Sequence, residues 1–599
     1  MSSYEDLSRE QLIQLLKKRD RTKKLGLVWE RDEIEADNAI DANFVAATII
    51  PELSDRPAPW RNMVIEGDNF DALRWLRMTL AGKVKCIYID PPYNTGNKDW
   101  VYNDHYVEKE DRYRHSMWLD FLYQRLRIAR DLLSSDGLIL VSISDEQRAK
   151  LEMLMDEVFP GMRIGTFVWR TKDSSNDADR NLSSVHEHVL AYGNSDFSFL
   201  GFELDDAKYR HDDGDGRGKY SLDPITKAHD YTERENTYYP ILDPQSGWWY
   251  PCNPDSVWRF ATKEKVKEGQ KLRSQTIEDL ISDRRIHFSA SDYVIYDTID
   301  DLLSAIDNRV GPVDGNGRQL LRRGLPDLEF WVGKKIGLGR PSKKAYWNEK
   351  GATIKPVSSF VLGTKEAKVE NFHELVSEKQ GKATGIVTEL FGKRVFQNPK
   401  PVSLLKSLIS ASVPNDGLIL DFFAGSGTTA HAVMELNAED GGTRRFILVS
   451  STEATSDEPD KNLCQDITAE RIRRLNKSED PKFAELAAEF AYLRCEGIEF
   501  EDLDHDLRPA QVWTALEVLH DLPLTHYCAG PWQEHTTDEL TLIFADRVNS
   551  DLIEHLKEIA RERVNAFVYA WAPGQITQQI GQALDVRSVR EELIGRFRQ

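Results

Sequence analysis

Short apolar runs alternate with amphipathic helical patterns along the first third of the chain. The apolar runs have the length and β-branched content of strands buried in a parallel sheet. They predict strands at 62–66, 84–89, 138–143 and 164–169. Apolar residues at helical spacing predict helices at 70–80, 117–133 and 149–159. Strands that alternate with helices in this way predict an α/β fold with a mostly parallel sheet.

The same alternation returns late in the chain. A strand at 418–421 leads into the loop Phe-Ala-Gly-Ser-Gly-Thr, then into a helical run and a second strand at 445–450. Between the two stretches the periodicity degrades, and Asp, Gly, Ser and Asn become frequent. Near the end, strands at 539–545 and 566–571 flank a helix at 550–563, which predicts a small α/β domain.

The candidate chemistry is clearest at Asp90-Pro91-Pro92-Tyr93, which follow the strand at 84–89. Two prolines cannot continue a strand, so we expect a rigid loop at its carboxyl end, where open α/β sheets bind ligands. A carboxylate, a proline carbonyl and an aromatic ring could together hold a planar ring with an exocyclic amine. The alternative is a tight turn in which Tyr93 is an ordinary core residue.

A second candidate site is the glycine loop after 418–421. Gly425 and Gly427 would let a ligand approach backbone N–H groups, and Asp421 at the strand end can accept a hydrogen bond from a ligand amine. No Gly-Lys-Ser/Thr follows, so this is not the phosphate loop of ATPases. Glu453, beyond the next strand, is placed to receive two ribose hydroxyls, and the combination indicates an adenosyl ligand.

Other polar residues have both functional and structural interpretations. Asp68 could bind a ligand or cap the helix that follows it. His186 and His188 share one face of a presumed strand, but no third ligand is evident nearby, so no metal site is predicted. Basic residues interleaved with aromatics and glycines suit contacts to phosphates and bases, or alternatively a solvated surface over an aromatic core. These candidate DNA-binding residues are Arg318, Arg322, Arg323, Lys334, Lys335, Arg340, Lys343 and Lys344.

Composition narrows the class of protein. The 599 residues suffice for three or four domains, and no apolar run approaches the ~20 residues needed to span a bilayer. No signal segment is evident at the start, so a cytoplasmic location is expected. Five scattered cysteines without a Cys-x-x-Cys pair fit reduced thiols rather than a zinc or disulfide framework. The net charge of −21 does not exclude a local basic surface that binds DNA.

The two sites together resemble the S-adenosylmethionine-dependent amino-methyltransferases of DNA. Because Asp-Pro-Pro-Tyr precedes the glycine loop, the chain is similar to the permuted β class, and most of all to the modification subunits of type III restriction-modification systems. The run 423–427 matches the Phe-x-Gly-x-Gly motif, and the run 398–401, Asn-Pro-Lys-Pro, matches the segment that helps to cover the cofactor. The residue patterns and the resemblance together predict cofactor binding by Asp68, Lys400, Pro401, Asp421, Phe423, Ala424, Gly425, Ser426, Gly427, Thr428 and Glu453, although Glu453 departs from family forms with the acidic residue directly on the strand end.

The resemblance also implies a domain organisation. It places a Rossmann-like methyltransferase domain in two halves, with a target-recognition domain between them. The predicted segments are the catalytic half at 46–170, target recognition at 171–390 and the cofactor half at 391–480. The residue pattern adds a helical lead-in at 1–45 and a C-terminal α/β domain of unknown role at 481–599.

The implied reaction is methyl transfer from S-adenosylmethionine to an amine of a flipped base. Asp90 and the carbonyl of Pro91 would accept the amine N–H groups, and Tyr93 would stack on the base. An aspartate at the first position of the motif points to adenine N6 more than to cytosine N4. Double-stranded DNA is the implied partner, and a homodimer and an ATP-dependent restriction subunit are further expectations from the resemblance.

Rival functions stay open from the sequence alone. A protein or RNA methyltransferase would share the cofactor fold, although those that act on glutamine usually carry Asn-Pro-Pro-Tyr after the cofactor motif. A DNA-recognition subunit without catalysis is a second rival, which the intact Asp90, Tyr93, Gly425 and Gly427 disfavour. The hypothesis that the protein is a methyltransferase requires that two segments more than three hundred residues apart meet in one cleft.

Overall fold

A computed structural model describes most of the chain, in two compact units. The larger unit comprises Met1–Phe202 and Pro356–Gln599, and the smaller unit comprises Glu203–Lys355. The residues described are 43–94, 101–102, 105–106, 114–172, 183–203, 206–266, 272, 274–350, 354–364, 375–454, 458, 460–562 and 565–598.

An eleven-stranded sheet forms the centre of the larger unit. Its strands in chain order are β1 (Phe44–Ile49), β2 (Asn62–Glu66), β3 (Val84–Ile89), β4 (Leu133–Ile143), β5 (Arg163–Arg170), β6 (His186–Gly193), β7 (Phe360–Gly363), β8 (Val376–Ser377), β9 (Leu418–Asp421), β10 (Arg445–Ser450) and β11 (Phe490–Ile498). Their order in space is β1-β11-β2-β10-β9-β3-β4-β6-β5-β7-β8. Pairing is parallel without interruption from β11 to β4, whereas β1 and β6 pair antiparallel with their neighbours. The predicted mostly parallel α/β fold is confirmed.

The strands at the middle of this sheet are apolar on both faces because helices cover both faces. Along β3, Ile87 and Ile89 belong to one core, and Cys86 and Tyr88 belong to the other. The helices of the first face are α1 (Asn69–Leu80), α2 (Arg114–Leu132) and α3 (Asp145–Val158), and those of the second include α4 (Gln380–Phe391), α5 (Val402–Ser412), α6 (Thr428–Asp440) and α7 (Glu470–Asn476). The three helices and four strands predicted in the first third are thereby confirmed, with ends shifted by up to five residues.

Two predicted domain boundaries differ from the structure. Most of the predicted lead-in at 1–45 lies outside the described residues, but Phe44 and Val45 belong to strand β1, because this run is buried and pairs with β11. Strand β11 itself lies within the segment 481–599 that the sequence indicated as a separate domain. It joins the large sheet between β1 and β2 because its apolar residues complete both cores. Helix α8 (Pro509–Leu519) packs on the same side as α1.

The remainder of the C-terminal segment forms a sheet of its own. Its strands are β12 (Trp532–Thr536), β13 (Thr541–Ala545), β14 (Ala566–Ala570) and β15 (Asp585–Ser588), with helices α9 (Ser550–Glu562) and α10 (Pro573–Ile580). Strands β13 and β14 are parallel, and α9 connects them. The small α/β arrangement predicted at the end of the chain is therefore confirmed.

The smaller unit has short strands around an aromatic core. One sheet pairs Tyr220–Pro224, Pro341–Tyr346 and Ile286–Phe288, and another pairs Ile241–Leu242, Trp249–Tyr250, Ile336–Gly337 and Tyr293–Val294. Its helices are Ile277–Ser282 and Ile299–Asp307. This unit is narrower than the predicted target-recognition segment at 171–390, because β6, β7, β8 and α4 extend the larger unit. In neither unit is a described helix both long and apolar enough to cross a membrane.

Candidate active site

The two candidate sites lie at the carboxyl ends of two neighbouring strands in the middle of the large sheet. Strands β3 and β9 are parallel neighbours, with Ile419 opposite Cys86 and Leu420 opposite Ile87. The loops that follow their carboxyl ends therefore lie side by side, as the hypothesis of a single methyltransferase active site requires. Both loops contribute to one cavity of about 760 Å³. Residues from the first site and from the second that line it include Asp68, Asp90, Pro92, Asp421, Phe423, Ala424, Gly425, Ser426, Thr428 and Glu453.

Asp90 has one engaged and one unengaged carboxylate oxygen. Its Oδ2 accepts a hydrogen bond from the ammonium of Lys400 at 2.9 Å. Its Oδ1 is buried and has no hydrogen-bond partner among the described residues. A buried acceptor without a partner is costly unless something donates to it. Asp90 also lines the cavity, so an N–H donor of a ligand there would lie beside this carboxylate.

The rest of the Asp-Pro-Pro-Tyr loop is held by its surroundings. The indole N–H of Trp118 donates to the carbonyl oxygen of Pro92 at 2.7 Å. The hydroxyl of Tyr93 donates to Oε2 of Glu187 at 3.2 Å. Burial, and then the nearby carboxylates of Asp90 and Glu187, hold the pKa of Tyr93 well above its usual range. Pro91 and Tyr93 are not among the described residues that line the cavity, so the stacking role of Tyr93 stays a prediction.

Lys400 occupies a position that the sequence did not indicate. The family resemblance placed it with the cofactor-binding residues, and Lys400 does line the cavity together with Pro399. Its buried ammonium, however, contacts Asp90 and lies 3.5 Å from Oε2 of Glu187. Burial disfavours the charged form, but these two carboxylates outweigh it and raise the pKa of Lys400 above its ordinary value. Pro401 caps helix α5 and is not among the described cavity-lining residues.

The glycine loop requires glycine at two positions, because a side chain there would be strained and crowded. Gly425 and Gly427 have φ values of 47° and 73°, in the left-handed region that favours glycine. A Cβ on Gly425 would lie 3.1 Å from Cζ of Phe396, and one on Gly427 would lie 3.0 Å from the carbonyl oxygen of Thr468. Both glycines are consistent with the prediction that a ligand can approach the backbone of this loop closely.

Asp421 organises the glycine loop. Its Oδ2 accepts from the hydroxyl of Thr429 at 2.5 Å, and its Oδ1 accepts from the backbone N–H of Phe423 at 3.0 Å. Burial raises the pKa of Asp421 to about 7, against the opposing effect of these two hydrogen bonds. The sequence indicated an acceptor for a ligand amine, and the structure shows that one oxygen already accepts from the loop and the other from the first turn of α6.

The buried guanidinium of Arg471 also holds the glycine loop. The sequence did not indicate this role. The guanidinium donates to the carbonyl oxygen of Ser426 at 3.1 Å, to the hydroxyl of Thr428 at 3.0 Å and to Nδ1 of His431 at 2.9 Å. Burial lowers the pKa of Arg471 to about 10. The basic run at 470–474 was a visible signal, but its spacing did not indicate which arginine points inward.

The acidic residues around the cavity differ in their partners. Glu453 has a φ of 52° and an ion pair with Lys461 at 3.1 Å. Asp68 caps α1 by accepting from the N–H of Phe70 at 2.7 Å, so its structural interpretation is confirmed while a ligand role stays a prediction. The guanidinium of Arg125 lies 3.0 Å from the same carboxylate.

Glu66 is a further acidic residue of the cavity that the sequence did not single out. It accepts from Asn462 at 2.9 Å and from Nε of Arg494 at 2.6 Å, and also from the hydroxyl of Tyr492. Burial would raise its pKa, but these hydrogen bonds, led by that of Arg494, lower the pKa of Glu66 overall. Its place at the end of a predicted strand was the available signal.

Comparison with known proteins agrees with this geometry. A family model described as DNA methylase (N6_N4_Mtase) matches residues 84–454, which contain both loops of the cavity. The chain belongs to this DNA methylase family.

Similar proteins include Mod subunits of type III restriction-modification enzymes and a type II methyltransferase. The methylase is 32% identical over 443 residues to the "Type III restriction-modification enzyme StyLTI Mod subunit" of Salmonella typhimurium, covering 69% of this chain and 57% of that subunit. It is 30% identical to "Type II methyltransferase M.KpnI" of Klebsiella pneumoniae, covering 64% and 79%. For the EcoPI Mod subunit of Escherichia phage P1 the identity is 30%, covering 66% and 58%. The methylase thus spans less than two thirds of the length of these two Mod subunits.

One solved structure that aligns with this chain is the "M1.HpyAVI-SAM complex". It aligns with 65% of the methylase and 94% of its own chain, at 11% identity and a TM-score of 0.26.

The methylase has a group of two histidines and an aspartate near Glu187. Asp145, His186 and His188 each place a ligand-type atom within 4.8 Å of the others. The third group that the sequence did not reveal is thus Asp145, at the start of α3. A hydrogen bond of 2.9 Å between Nε2 of His188 and Oδ1 of Asp145 accounts for part of this cluster. The prediction that the protein uses no metal stays a prediction.

All eight predicted DNA-binding residues of the methylase lie in the smaller unit. Three of them have carboxylate partners there: Arg322 with Asp255 at 2.6 Å, Arg323 with Asp307 at 2.7 Å, and Lys344 with Asp213. Three others have ammonium groups over aromatic rings: Lys334 over Phe330, Lys335 over Tyr293 and Lys343 over Phe260. Their DNA-binding role stays a prediction.

Proposed function

We propose that the methylase transfers a methyl group from S-adenosylmethionine to the N6 amine of an adenine flipped out of double-stranded DNA. One observation carries this proposal. Asp90, with its unpartnered Oδ1, lines the same cavity as Gly425 of the glycine loop. A group that accepts an amine proton and a loop that accommodates an adenosyl ligand thus face one space.

The residues present fit S-adenosylmethionine. The volume of about 760 Å³ is within the range of small-molecule sites and leaves room for a base beside the cofactor. The backbone of Gly425 and Ser426 would hold the cofactor, and Glu453 would receive its ribose hydroxyls. The cofactor supplies an electrophilic methyl group when it is bound.

The residues of this chain would activate the amine by orienting it. The lone pair of an aromatic amine is delocalised into the ring, which makes the amine a poor nucleophile. Hydrogen bonds from the amine to Oδ1 of Asp90 and to the carbonyl of Pro91 favour a pyramidal nitrogen with a localised lone pair. Positioning and electrostatics of this kind supply much of the rate enhancement of many enzymes.

The biological setting follows from the relatives' names. Two of them are Mod subunits of type III restriction-modification enzymes, and one is a type II methyltransferase. We propose that the methylase protects specific DNA sites in a bacterial restriction-modification or phage-defence system. A homodimer and an ATP-dependent restriction subunit are the proposed partners, and the smaller unit is the proposed target-recognition domain.

The test is methyl transfer to DNA with identification of the modified base. The purified full chain is incubated with labelled S-adenosylmethionine and genomic DNA that lacks methylation, and the digested nucleosides are separated by mass spectrometry. We expect N6-methyladenine, and we expect Asp90→Ala to abolish transfer while it still binds the cofactor. The control Asp136→Ala removes an aspartate that pairs with Lys85 at the opposite end of β3 and should stay active.

Each other outcome has a definite meaning. If the product is N4-methylcytosine, the target base is cytosine and the proposal of adenine is wrong. Cofactor binding without transfer to any DNA would instead favour a recognition subunit. Sequencing of modified bases in cells with and without the protein would report the recognition site.

A further inference from the structure

The side chains of Asp90, Lys400, Glu187 and Tyr93 contact one another and form a group beside the cavity. The ammonium of Lys400 lies 2.9 Å from Oδ2 of Asp90 and 3.5 Å from Oε2 of Glu187. The same Oε2 of Glu187 accepts from the hydroxyl of Tyr93 at 3.2 Å, and the ammonium lies 4.8 Å from the centre of the Tyr93 ring. The group therefore joins the Asp-Pro-Pro-Tyr loop to β6 and to the start of α5.

The charges in this group depend on one another. Lys400 is buried, and a buried ammonium without partners would be strongly destabilising. Two carboxylates share this one cation, so removal of the cation would leave Asp90 and Glu187 as neighbouring anions. An ammonium has three N–H donors and no acceptor, so Lys400 in this state cannot take a proton from the target amine.

The position of Lys400 decides which oxygen of Asp90 is available. Because the ammonium engages Oδ2, Oδ1 is the oxygen that has no hydrogen-bond partner among the described residues. A free aspartate side chain rotates about its terminal torsion, which is broad. A contact that holds one oxygen therefore also orients the other.

We propose that Lys400 and Glu187 are positioning residues for methyl transfer: Lys400 orients Asp90 toward the target amine, and Glu187 holds both Lys400 and Tyr93. This inference rests on the proposed function. Neither side chain needs to touch the cofactor, since the contacts of Lys400 are to the catalytic loop and β6 rather than to the glycine loop.

The decisive variants are Lys400→Met, Lys400→Arg and Glu187→Gln. We expect Lys400→Met to lower kcat about 100-fold, with the dissociation constant of S-adenosylmethionine changed less than about twofold, and Lys400→Arg to recover part of the rate because it keeps the charge. Glu187→Gln should lower kcat about tenfold. The double variant Lys400→Met with Glu187→Gln should be no slower than Lys400→Met, because residues that act through one contact are not additive.

The matched control is Lys85→Met. Lys85 forms a comparable lysine–aspartate pair with Asp136 at the amino end of the same strand β3, with Nζ 2.7 Å from Oδ2. We expect it to lower stability without a change in kcat. Urea unfolding of every variant verifies that the proteins compared are folded.

A pH profile separates positioning from a purely structural role. The ionisable groups that face Asp90 are Lys400, Glu187, Tyr88, Tyr93 and Asp421. Without the ammonium, repulsion among the carboxylates disfavours their charged forms. The acidic limb of the kcat profile should therefore move up by about one pH unit or more in Lys400→Met, and should not move in Lys85→Met.

The possible failures are distinguishable. If the wild type methylates DNA and Lys400→Met matches Lys85→Met in kcat and pH profile, the positioning inference is wrong and the proposed function stands. If Lys400→Met loses cofactor binding as well as rate, Lys400 serves the cofactor and the inference is also wrong. If the wild type transfers no methyl group to any DNA, both proposals fail together.

Discussion

The side-chain amide of Asn69 donates a hydrogen bond to the carbonyl oxygen of Phe422 at 3.0 Å. Asn69 begins helix α1 after β2, and Phe422 begins the glycine loop after β9. The guanidinium of Arg125, on α2, donates in turn to Oδ1 of Asn69. One asparagine therefore connects the two halves of the larger unit at the cavity wall.

Replacement of this connector should affect both stability and cofactor binding. We expect Asn69→Ala to lower the free energy of unfolding by about 1–2 kcal/mol, because the variant removes the hydrogen bonds of Asn69 with the carbonyl oxygen of Phe422 and with the guanidinium of Arg125. We expect the dissociation constant of S-adenosylmethionine to rise about fivefold, which corresponds to about 1 kcal/mol. Urea unfolding and calorimetric titration measure the two effects. Asn437→Ala is the control, because Asn437 makes equivalent bonds to the backbone of Arg444 away from the cavity. It should lose stability alone.

Two glycines at the ends of α6 allow the effect of close packing to be isolated. Gly427 and Gly441 have φ values of 73° and 70°. A Cβ on Gly427 would meet the carbonyl oxygen of Thr468 at 3.0 Å, whereas a Cβ on Gly441 would meet no described atom within 4 Å. In both alanine variants the free energy of unfolding should fall by about 1–2 kcal/mol, because alanine is strained in the left-handed conformation. Only Gly427→Ala should lose more than that and also weaken cofactor binding; equal losses in unfolding experiments would contradict the role of this contact.

The pH dependence of stability should reveal Asp421. In the folded protein the pKa of Asp421 is about 7, whereas its ordinary value is 3.8. Folded Asp421 therefore keeps a proton that the unfolded chain has lost. Its contribution to stability is fully present below about pH 4 and is lost as the pH rises to about 7.

Asp421→Asn removes this titration. The free energy of unfolding of the wild type relative to that of the variant should fall by about 2 kcal/mol or more between about pH 5 and pH 8, since each pKa unit corresponds to about 1.4 kcal/mol. Denaturant titrations at the two pH values measure it. Asp416→Asn changes an exposed aspartate just before the same strand and should show no such difference. A pH-independent difference for Asp421→Asn would show that the carboxyl is ionised throughout.

The basic residues of the smaller unit should differ in their effect on DNA binding. The ammonium groups of Lys334 and Lys335 lie over aromatic rings, whereas Arg323 already has a two-point contact with Asp307. We expect the double variant Lys334→Ala with Lys335→Ala to weaken binding to all DNA sequences and to reduce the salt dependence by about one unit per lost phosphate contact. Arg323→Ala should change both quantities less. Fluorescence anisotropy over a range of salt concentrations is the measurement, and equal effects would rule out this distinction.

Local patterns determined much of this protein from the sequence alone. The apolar runs of β3 and β9 predict buried parallel strands because each strand must satisfy cores on both of its faces. Asp90 and Gly425 could be identified because prolines and glycines constrain the backbone wherever they occur. The same reasoning predicted the strand–helix–strand arrangement of β13, α9 and β14.

Only the tertiary structure decided which distant residues meet. No local pattern encodes the order of strands in the sheet, so the place of β11 beside β2, and with it the contact between Arg494 and Glu66, could not be predicted. Likewise, the segment 398–401 indicated a cover for the cofactor, but the ammonium of Lys400 reaches Asp90. A long side chain finds its partner through the packing of whole elements, and that packing is a property of the folded chain rather than of any single stretch.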